Sequence, residues 1–179
     1  MIVSMWMNRN LITIAQDTPI AEAAALMARR HIRRLLVVES HRGEQRLVGI
    51  ISASDILHAF PPEVNPFAVL VKGAPKELVV THEIMKCNPL TVMPDTPIEE
   101  AALLMRDHKI GALPVVRDGK LVGIITESDI FQAFASIFSS PQANVRITFA
   151  VARVEDTFGL IADLTAHQAV HVLSLFTLV

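Results

Sequence analysis

The sequence contains two copies of one unit, and this duplication limits the possible folds more than any other feature. Residues 17–38 match residues 95–116 at an offset of 78, with 13 of 22 positions identical. Residues 47–60 match residues 121–134 at an offset of 74, with 10 of 14 identical, so the first copy has four extra residues near positions 40–45. One small copy cannot bury its own sheet face. Two copies packed sheet to sheet can.

Each copy shows the same order of patterns: strand, helix, strand, strand, helix. The first helix has apolar residues at spacings of three and four, which predict one buried stripe. These residues are Ile20, Ala23, Ala24 and Met27 in the first copy and Ile98, Ala101, Ala102 and Met105 in the second. Runs of β-branched residues then predict two buried strands. The sequence therefore predicts an α+β fold.

Local signals refine this pattern. Gly49 and Gly123 interrupt the last strand of each copy at the same place, which predicts a β-bulge or a close backbone approach. Thr18 and Thr96 are expected to cap the first helices, with Thr96 and Glu99 forming a capping box. The short first strands are expected at residues 11–14 and 90–92, and "RDGK" at residues 117–120 is expected to form a tight hairpin turn.

Composition indicates a cytoplasmic protein. Cys87 is the single cysteine, so no disulfide is expected, and no apolar run approaches the roughly 18 residues that a membrane span needs. The formal net charge of -2 gives no global reason to expect nucleic acid or an anionic membrane as a partner. Apolar residues make up 51% of the chain, which favours a homodimer that covers part of the apolar surface.

The repeated ending is the most specific motif. Each copy ends in a glycine-containing strand followed by Ser52 or Thr126, two further residues and then Asp55 or Asp129. This doubled pattern resembles the cystathionine β-synthase (CBS) domain pair, or Bateman module, over residues 5–138. The resemblance implies two pseudo-twofold-related β-α-β-β-α domains packed sheet to sheet, with adenosine-containing ligands bound in clefts between the copies.

The C-terminal segment has a second pattern, strand, helix, strand, over residues 145–179. With Asp156, Phe158, Gly159 and Leu160 in its first loop, it resembles the first βαβ half of an ACT domain, either truncated, degenerate or completed by a partner. A CBS pair followed by an ACT segment resembles the acetoin-utilisation regulatory proteins. The expected domains are CBS 1 at 1–60, a linker at 61–80, CBS 2 at 81–140 and the ACT-like segment at 141–179.

Asp55 and Asp129 are the candidate ribose ligands. An aspartate in the first turn of a helix that follows a strand can accept hydrogen bonds from both ribose hydroxyls. The resemblance adds candidate hydroxyl donors for ribose or phosphate, which are Ser52, Ser54, Thr126 and Ser128. The alternative is that each Ser or Thr and its Asp only cap a helix, which the same residues would do in any protein.

The resemblance also places an adenine slot between apolar strand residues. Its candidate members are Leu11, Ile12, Pro89, Leu90, Leu36 and Pro114. Each is equally consistent with a position in the hydrophobic core.

The two copies differ most in charge. Arg33 and Arg34 precede a strand that leads into the cleft, where guanidinium groups bind phosphate bidentately, and His31 lies beside them. The second copy has Gly111 and Ala112 at the equivalent positions. The Asp55 cleft is therefore the better phosphate site, and the Asp129 cleft binds a neutral adenosine moiety or stays empty. A solvated basic helix end is the alternative.

The leading hypothesis is a non-catalytic sensor. It would bind AMP, ADP, ATP or a related adenosyl compound as a regulatory ligand, without a cofactor, and control an unidentified protein. The alternative is a structural dimerisation platform with empty clefts. The histidines and Cys87 lack zinc-type spacing, so no metal is expected. The residues provide no catalytic constellation, although CBS domains also occur inside enzymes such as IMP dehydrogenase.

Overall fold

The computed structural model describes residues 1–41, 44–60, 79–138 and 155–168. The chain divides into two compact units, Met1–Gln132 and Ala133–Val179. The first unit contains the strands of both copies and the helices that connect them. The linker predicted at residues 61–80 lies outside the described residues, apart from Val79 and Val80.

The first copy has the predicted order of elements, and the second copy has the same order except for its first strand. In the first copy, a 3-10 helix at Val3–Met5 precedes β1 (Thr13–Ala15), α1 (Ile20–Arg30), β2 (Arg34–His41), β3 (Glu44–Ser52) and α2 (Ala53–Ala59). In the second, α3 (Thr81–Ile84) and β4 (Lys86–Cys87) precede α4 (Ile98–His108), β5 (Ala112–Arg117), β6 (Lys120–Thr126) and α5 (Glu127–Phe138).

The strands form two sheets, one of four strands and one of two. One sheet has the order β1-β2-β3-β4, with β1 parallel to β2 and the other pairs antiparallel. The hairpin β5-β6 forms the other, and β3 contacts β6 between them. The first strand expected at 11–14 begins two residues later, and its counterpart is reduced to one parallel bridge between Val92 and Val115.

Both predicted β-bulges are present. The register shifts between Val37 and Val38 opposite Gly49, and between Val115 and Val116 opposite Gly123. A bulge leaves one residue unpaired and increases the local twist, which turns the end of β3 or β6 toward the helix that follows.

The segments that lead into the two copies cross over. We call residues 2–8 and 80–86 the leading segments. Asn8 bridges to Ile124 in β6, while Lys86 pairs with Ile50 in β3. At their starts, the Val3 N–H donates to Thr96 O (2.9 Å) and the Thr81 N–H donates to Thr18 O (2.9 Å). Each copy therefore completes the sheet of the other, and the two crossings are related by the same 78-residue offset as the repeat.

The repeated glycines allow this crossing. A Cβ on Gly123 would lie 2.6 Å from Met7 Sδ, and a Cβ on Gly49 would lie 2.5 Å from Met85 Sδ. Each leading segment thus places a thioether directly over a glycine of the opposite copy. The sequence predicted a bulge or a close approach here, and the structure shows both.

The core follows the predicted helical stripe. Ile20, Ala23, Ala24 and Met27 are buried against Leu35, Val37, Ile51 and Ile56, and the second-copy stripe is buried at Ile98, Ala101 and Met105, with Ala102 half-buried. The small alanines let the helix backbone lie close to the sheet. Both helices end in a left-handed residue, His31 (φ 53°) or Lys109 (φ 52°), whose N–H bonds to carbonyls of the last turn.

The predicted helix caps are wrong. Pro19 and Pro97 are the N-cap residues of α1 and α4, and neither helix has a side-chain cap. The Thr96 hydroxyl instead accepts from the Met93 N–H (3.0 Å). Thr18 lies one residue before the N-cap, where its carbonyl accepts from the Thr81 N–H and hydroxyl. The crossing of the leading segments, a long-range feature, thus determines how these residues are used.

The predicted tight turn between β5 and β6 is confirmed. Asp118 (φ 51°) and Gly119 (φ 75°) are both left-handed, as a type I′ hairpin requires. In the second unit, the loop expected at Asp156, Phe158, Gly159 and Leu160 is wrong, because these residues already lie within the helix α6 (Glu155–Gln168). The two strands predicted beside it lie outside the described residues, so the ACT resemblance stays a prediction.

Candidate functional site

Asp55 is fixed at the start of α2 by Ser52. The Ser52 N–H (2.8 Å) and hydroxyl (2.6 Å) both donate to Asp55 Oδ2, and the Asp55 N–H donates back to Ser52 Oγ (3.2 Å). This is a capping box that holds the carboxylate in one orientation. Among the described residues no donor reaches the other oxygen, Oδ1, so half of the carboxylate is free to accept bonds from a ligand.

Asp129 has the same arrangement at the start of α5. Its Oδ2 accepts from the Thr126 N–H (2.8 Å) and hydroxyl (2.6 Å), and its N–H lies 3.4 Å from Thr126 Oγ1. Both aspartates are half-buried, whereas Ser54 and Ser128 are exposed beside them. The capping alternative is therefore real for both aspartates, and it uses only one of the two carboxylate oxygens.

A hollow of about 270 Å³ lies beside Asp55. It is lined by Asp55, His58 and Ala59 from α2 and by Ile84 from the second copy's leading segment. Since the two copies meet there, a ligand in the hollow would contact both. The sequence analysis missed His58, although its position three residues after Asp55 on one helix was a usable signal. It also missed Ile84, because the crossing that brings Ile84 to α2 leaves no local signal.

The candidate adenine residues differ in exposure. Leu36 is 1% exposed and belongs to the core, and Pro114 at the equivalent position is also buried. Leu11, Ile12 and Pro89 are half-buried, and Leu90 is 44% exposed. The side chains of Leu36 and Pro114 can only form the floor of a slot, while the other four are accessible to a base.

The three basic candidates are also placed differently. His31 is the exposed left-handed residue that ends α1, and Arg33 is exposed. Arg34 is half-buried, and this burial lowers the pKa of its guanidinium. The carboxylate of Glu127 opposes that shift most strongly, the positive charge of Arg33 adds to it, and Asp55 opposes it more weakly.

Arg34 reaches from the first copy to the second. A Cβ on Gly111 would overlap the Arg34 Nη2 atom and would lie 2.6 Å from Glu127 Oε2. The guanidinium therefore occupies the space that the absent side chain of Gly111 leaves. The sequence identified Arg34 as a cleft residue but gave no sign of its neighbours, because Glu127 is distant in the chain.

Trp6 carries an unpaired polar atom. Its indole nitrogen is buried and has no hydrogen-bond partner in the described part of the chain. Within that part, no group of three or more His, Cys, Asp and Glu could hold a metal ion. No described helix combines the length and apolar character that crossing a bilayer requires.

The duplicated fold, the crossed leading segments and the paired capping aspartates define one class of protein. The sequence matches the CBS domain family over residues 3–62 and 80–136. The chain belongs to this family, and it contains two CBS domains in tandem.

Two curated relatives illustrate the range of this family. An uncharacterised protein of Methanocaldococcus jannaschii is 35% identical over 138 residues, covering 75% of this chain and 32% of the relative. A CBS domain-containing protein of Dictyostelium discoideum is 33% identical over 141 residues, covering 76% of this chain and 92% of the relative. The chain therefore spans about a third of the first relative and nearly all of the second.

Solved structures share the fold. The CBS domain pair of protein MJ0100, in complex with 5′-methylthioadenosine and S-adenosyl-L-methionine, has a TM-score of 0.62 and 29% identity, covering 76% of this chain and 97% of that one. A proposed acetoin utilization protein (AcuB) of Vibrio cholerae has a TM-score of 0.61 and 29% identity, covering 79% of this chain and 98% of that one. CBSX2 in complex with AMP has a TM-score of 0.60 and 26% identity, covering 77% of this chain and 98% of that one. Two of these three neighbours thus bind adenosine compounds.

Proposed function

We propose that this chain is a regulatory module that binds an adenosine-containing compound, with AMP, ADP and ATP as the first candidates. One observation carries the proposal: in both copies a rigid capping box leaves one carboxylate oxygen free, and at Asp55 that carboxylate borders a hollow. The two hydroxyls of a ribose need such an acceptor in a fixed position. The adenosine compounds bound by the MJ0100 pair and by CBSX2 support the same ligand class.

The proposed site has three parts. Asp55 and Asp129 accept from ribose, and the nearby hydroxyls and basic groups bind ribose or phosphate, namely Ser52, Ser54, Thr126, Ser128, Arg33, Arg34 and His31. The adenine lies against Leu11, Ile12, Pro89 and Leu90, above Leu36 and Pro114.

Regulation would follow from the position of the hollow between the copies. A ligand that contacts α2 and the opposite leading segment binds more tightly to one relative orientation of the copies. It shifts the population toward that orientation, and by reciprocity that orientation binds it more tightly. As part of the same proposal, the module controls another protein, is located in the cytoplasm and has a role in acetoin utilisation. The C-terminal segment receives a second signal.

Calorimetric titration of the full chain with AMP and ATP tests the ribose assignment. Asp55→Asn keeps an oxygen for Ser52 but replaces the free acceptor with an amide donor. We expect affinity to fall about tenfold or more while the melting temperature is maintained. Asp118→Asn, which removes the same charge from an exposed turn, should leave binding unchanged. Absence of heat with every adenosine ligand, or equal affinity for AMP and its 2′-deoxy analogue, would contradict the proposal.

A second function, assembly of a homodimer, is favoured by a different observation. Leu57 in α2 and Phe131 in α5 occupy equivalent positions of the repeat and are 50% and 75% exposed. Large apolar side chains at matching positions on two helices are typical of surfaces covered by another chain. Light scattering of the wild type and of Phe131→Glu tests this: a dimer that becomes monomeric supports it, and a monomeric wild type excludes it.

A further inference from the structure

The two leading segments carry side chains of very different size at one equivalent position. Trp6 of the first segment corresponds to Ile84 of the second, at the 78-residue offset of the repeat. The indole of Trp6 is much larger than the side chain of isoleucine, and it has an N–H donor that isoleucine lacks. This position therefore distinguishes two segments whose backbones are otherwise used in the same way.

Both segments approach the opposite copy with the same geometry. The next residues along the chain, Met7 and Met85, each place their thioether over a repeated glycine of that copy. The N–H of each methionine donates to the carbonyl four residues earlier, Val3 O or Thr81 O, and both bonds measure 2.9 Å. The residue before each methionine therefore faces equivalent parts of the two copies.

In the first copy, that part is the hollow of about 270 Å³ beside Asp55, which Ile84 lines together with His58. The equivalent part of the second copy is bordered by Asp129 and Gln132, at the 74-residue offset of the repeat. An isoleucine is small enough to leave the first hollow open. An indole in the same position fills much of the equivalent space beside Asp129.

The burial of the indole nitrogen agrees with this position. Trp6 is half-buried as a whole, yet its Nε1 atom is covered and has no hydrogen-bond partner in the described part of the chain. Buried indole N–H groups usually have an acceptor, and a missing acceptor makes the arrangement less stable. Because no hydrogen bond from Nε1 to the described residues fixes the ring, a ligand that pairs with Asp129 can displace it.

We propose that Trp6 closes the Asp129 cleft and thereby makes the two clefts unequal. The Asp55 cleft, which is bordered by Ile84, is open to an adenosine compound. The Asp129 cleft accepts ribose only after the indole has moved aside, so its affinity is reduced by the free energy of that movement. One chain then binds one ligand molecule tightly, although the aspartate is duplicated. This inference rests on the proposed function, since it assigns an order of filling to the same pair of clefts.

Calorimetric titration of the full chain with adenosine counts the sites, and the absence of a phosphate keeps the basic residues of the first copy out of the comparison. For the wild type we expect one tight site, with any second site about tenfold weaker or more. Trp6→Ile, which gives the first segment the residue of the second, should show two sites of similar affinity. The added site should disappear when Trp6→Ile is combined with Asp129→Asn. Met5→Ala truncates a neighbouring side chain that is 66% exposed, and this control should keep one tight site.

The reciprocal change, Ile84→Trp, tests the same inference with Trp6 in place. We expect it to close the hollow beside Asp55 and to weaken adenosine about tenfold or more, while circular dichroism shows a folded chain. If Trp6→Ile does not fold, Ile84→Trp decides the outcome. Two equal adenosine sites on the wild type, a single site on folded Trp6→Ile, or unchanged affinity in Ile84→Trp would each overturn the inference and leave the proposed function intact. No binding of adenosine or AMP to any of these chains would overturn both.

Discussion

Replacing either repeated glycine with alanine should weaken the fold through the crossing of the leading segments. In Gly123→Ala the new methyl carbon would lie 2.6 Å from Met7 Sδ, 3.1 Å from Met7 Cγ and 3.3 Å from Asn8 O. Optimal contacts between heavy atoms are about 3.5–4.0 Å, so the methionine must move by close to an ångström. Met7 is only 8% exposed, and two hydrogen bonds with Ile124 (2.9 and 3.0 Å) hold Asn8 in place.

The expected change in the free energy of unfolding follows from two opposing effects. Overpacking a filled site costs about 1–3 kcal/mol, while replacing glycine with alanine recovers about 0.4–1 kcal/mol by restricting the unfolded chain. We therefore expect Gly123→Ala to lose about 1–2 kcal/mol. Gly49→Ala should lose less, because Met85 is half-buried and can swing aside more easily than Met7.

Urea unfolding followed by circular dichroism measures this change. Gly111→Ala is the control, because the three atoms nearest to its new methyl group belong to the flexible ends of Arg34 and Glu127, so we expect a change within about 0.5 kcal/mol. In Gly123→Ala combined with Met7→Ala, the added methyl fills part of the space that the methionine leaves. The pair should be less destabilised than the sum of its members by about 1 kcal/mol. Additive losses, or a Gly123→Ala chain as stable as the wild type, would refute the contact.

Three further outcomes are expected. Trp6→Phe should change stability by less than about 1 kcal/mol in thermal melts, because removing a buried, unpaired indole N–H offsets the apolar contact that is lost. Asp129→Ala should cost about 1 kcal/mol in urea unfolding by leaving the Thr126 N–H without its acceptor, whereas Asp129→Asn should be nearly neutral. Gly119→Ala should cost about 1 kcal/mol in the same assay, since its φ of 75° disfavours a side chain although nothing lies within 4 Å.

The sequence predicted those parts of the fold that depend on local patterns. Apolar spacing located α1 and α4, and the positions of Gly49 and Gly123 located both bulges. The turn at Asp118 and Gly119 was equally predictable, because only a few residues tolerate left-handed backbone at both positions. In each case the cause and its effect lie within a few residues of each other.

The crossing of the leading segments could not be predicted in this way. Met7 and Gly123 are far apart in the chain, and neither has a feature that identifies the other. The same crossing explains the wrong helix caps, since Thr18 uses its carbonyl to bind Thr81 of the other copy. Long-range pairing overrode the local preference of threonine for the N-cap position.

The same distinction between local patterns and long-range pairing applies to the candidate site. Repetition identified Asp55 and Asp129, and the structure shows that the capping hydrogen bonds go to Oδ2 of each carboxylate. The direction of Arg34 was not predictable, because it depends on the absence of a side chain at Gly111 in the other copy. Ile84 reaches the hollow beside Asp55 only through its leading segment, so its role has no sequence signature either.

The exchange of leading segments also determines how this pair can be divided experimentally. A cut in the polypeptide between the two copies would leave every strand intact. Each fragment would nevertheless carry the leading segment that pairs with the sheet of the other fragment. A fragment produced alone would present an unprotected sheet edge and tend to aggregate. Two fragments produced together should reassemble by complementation, because each supplies the edge that the other lacks.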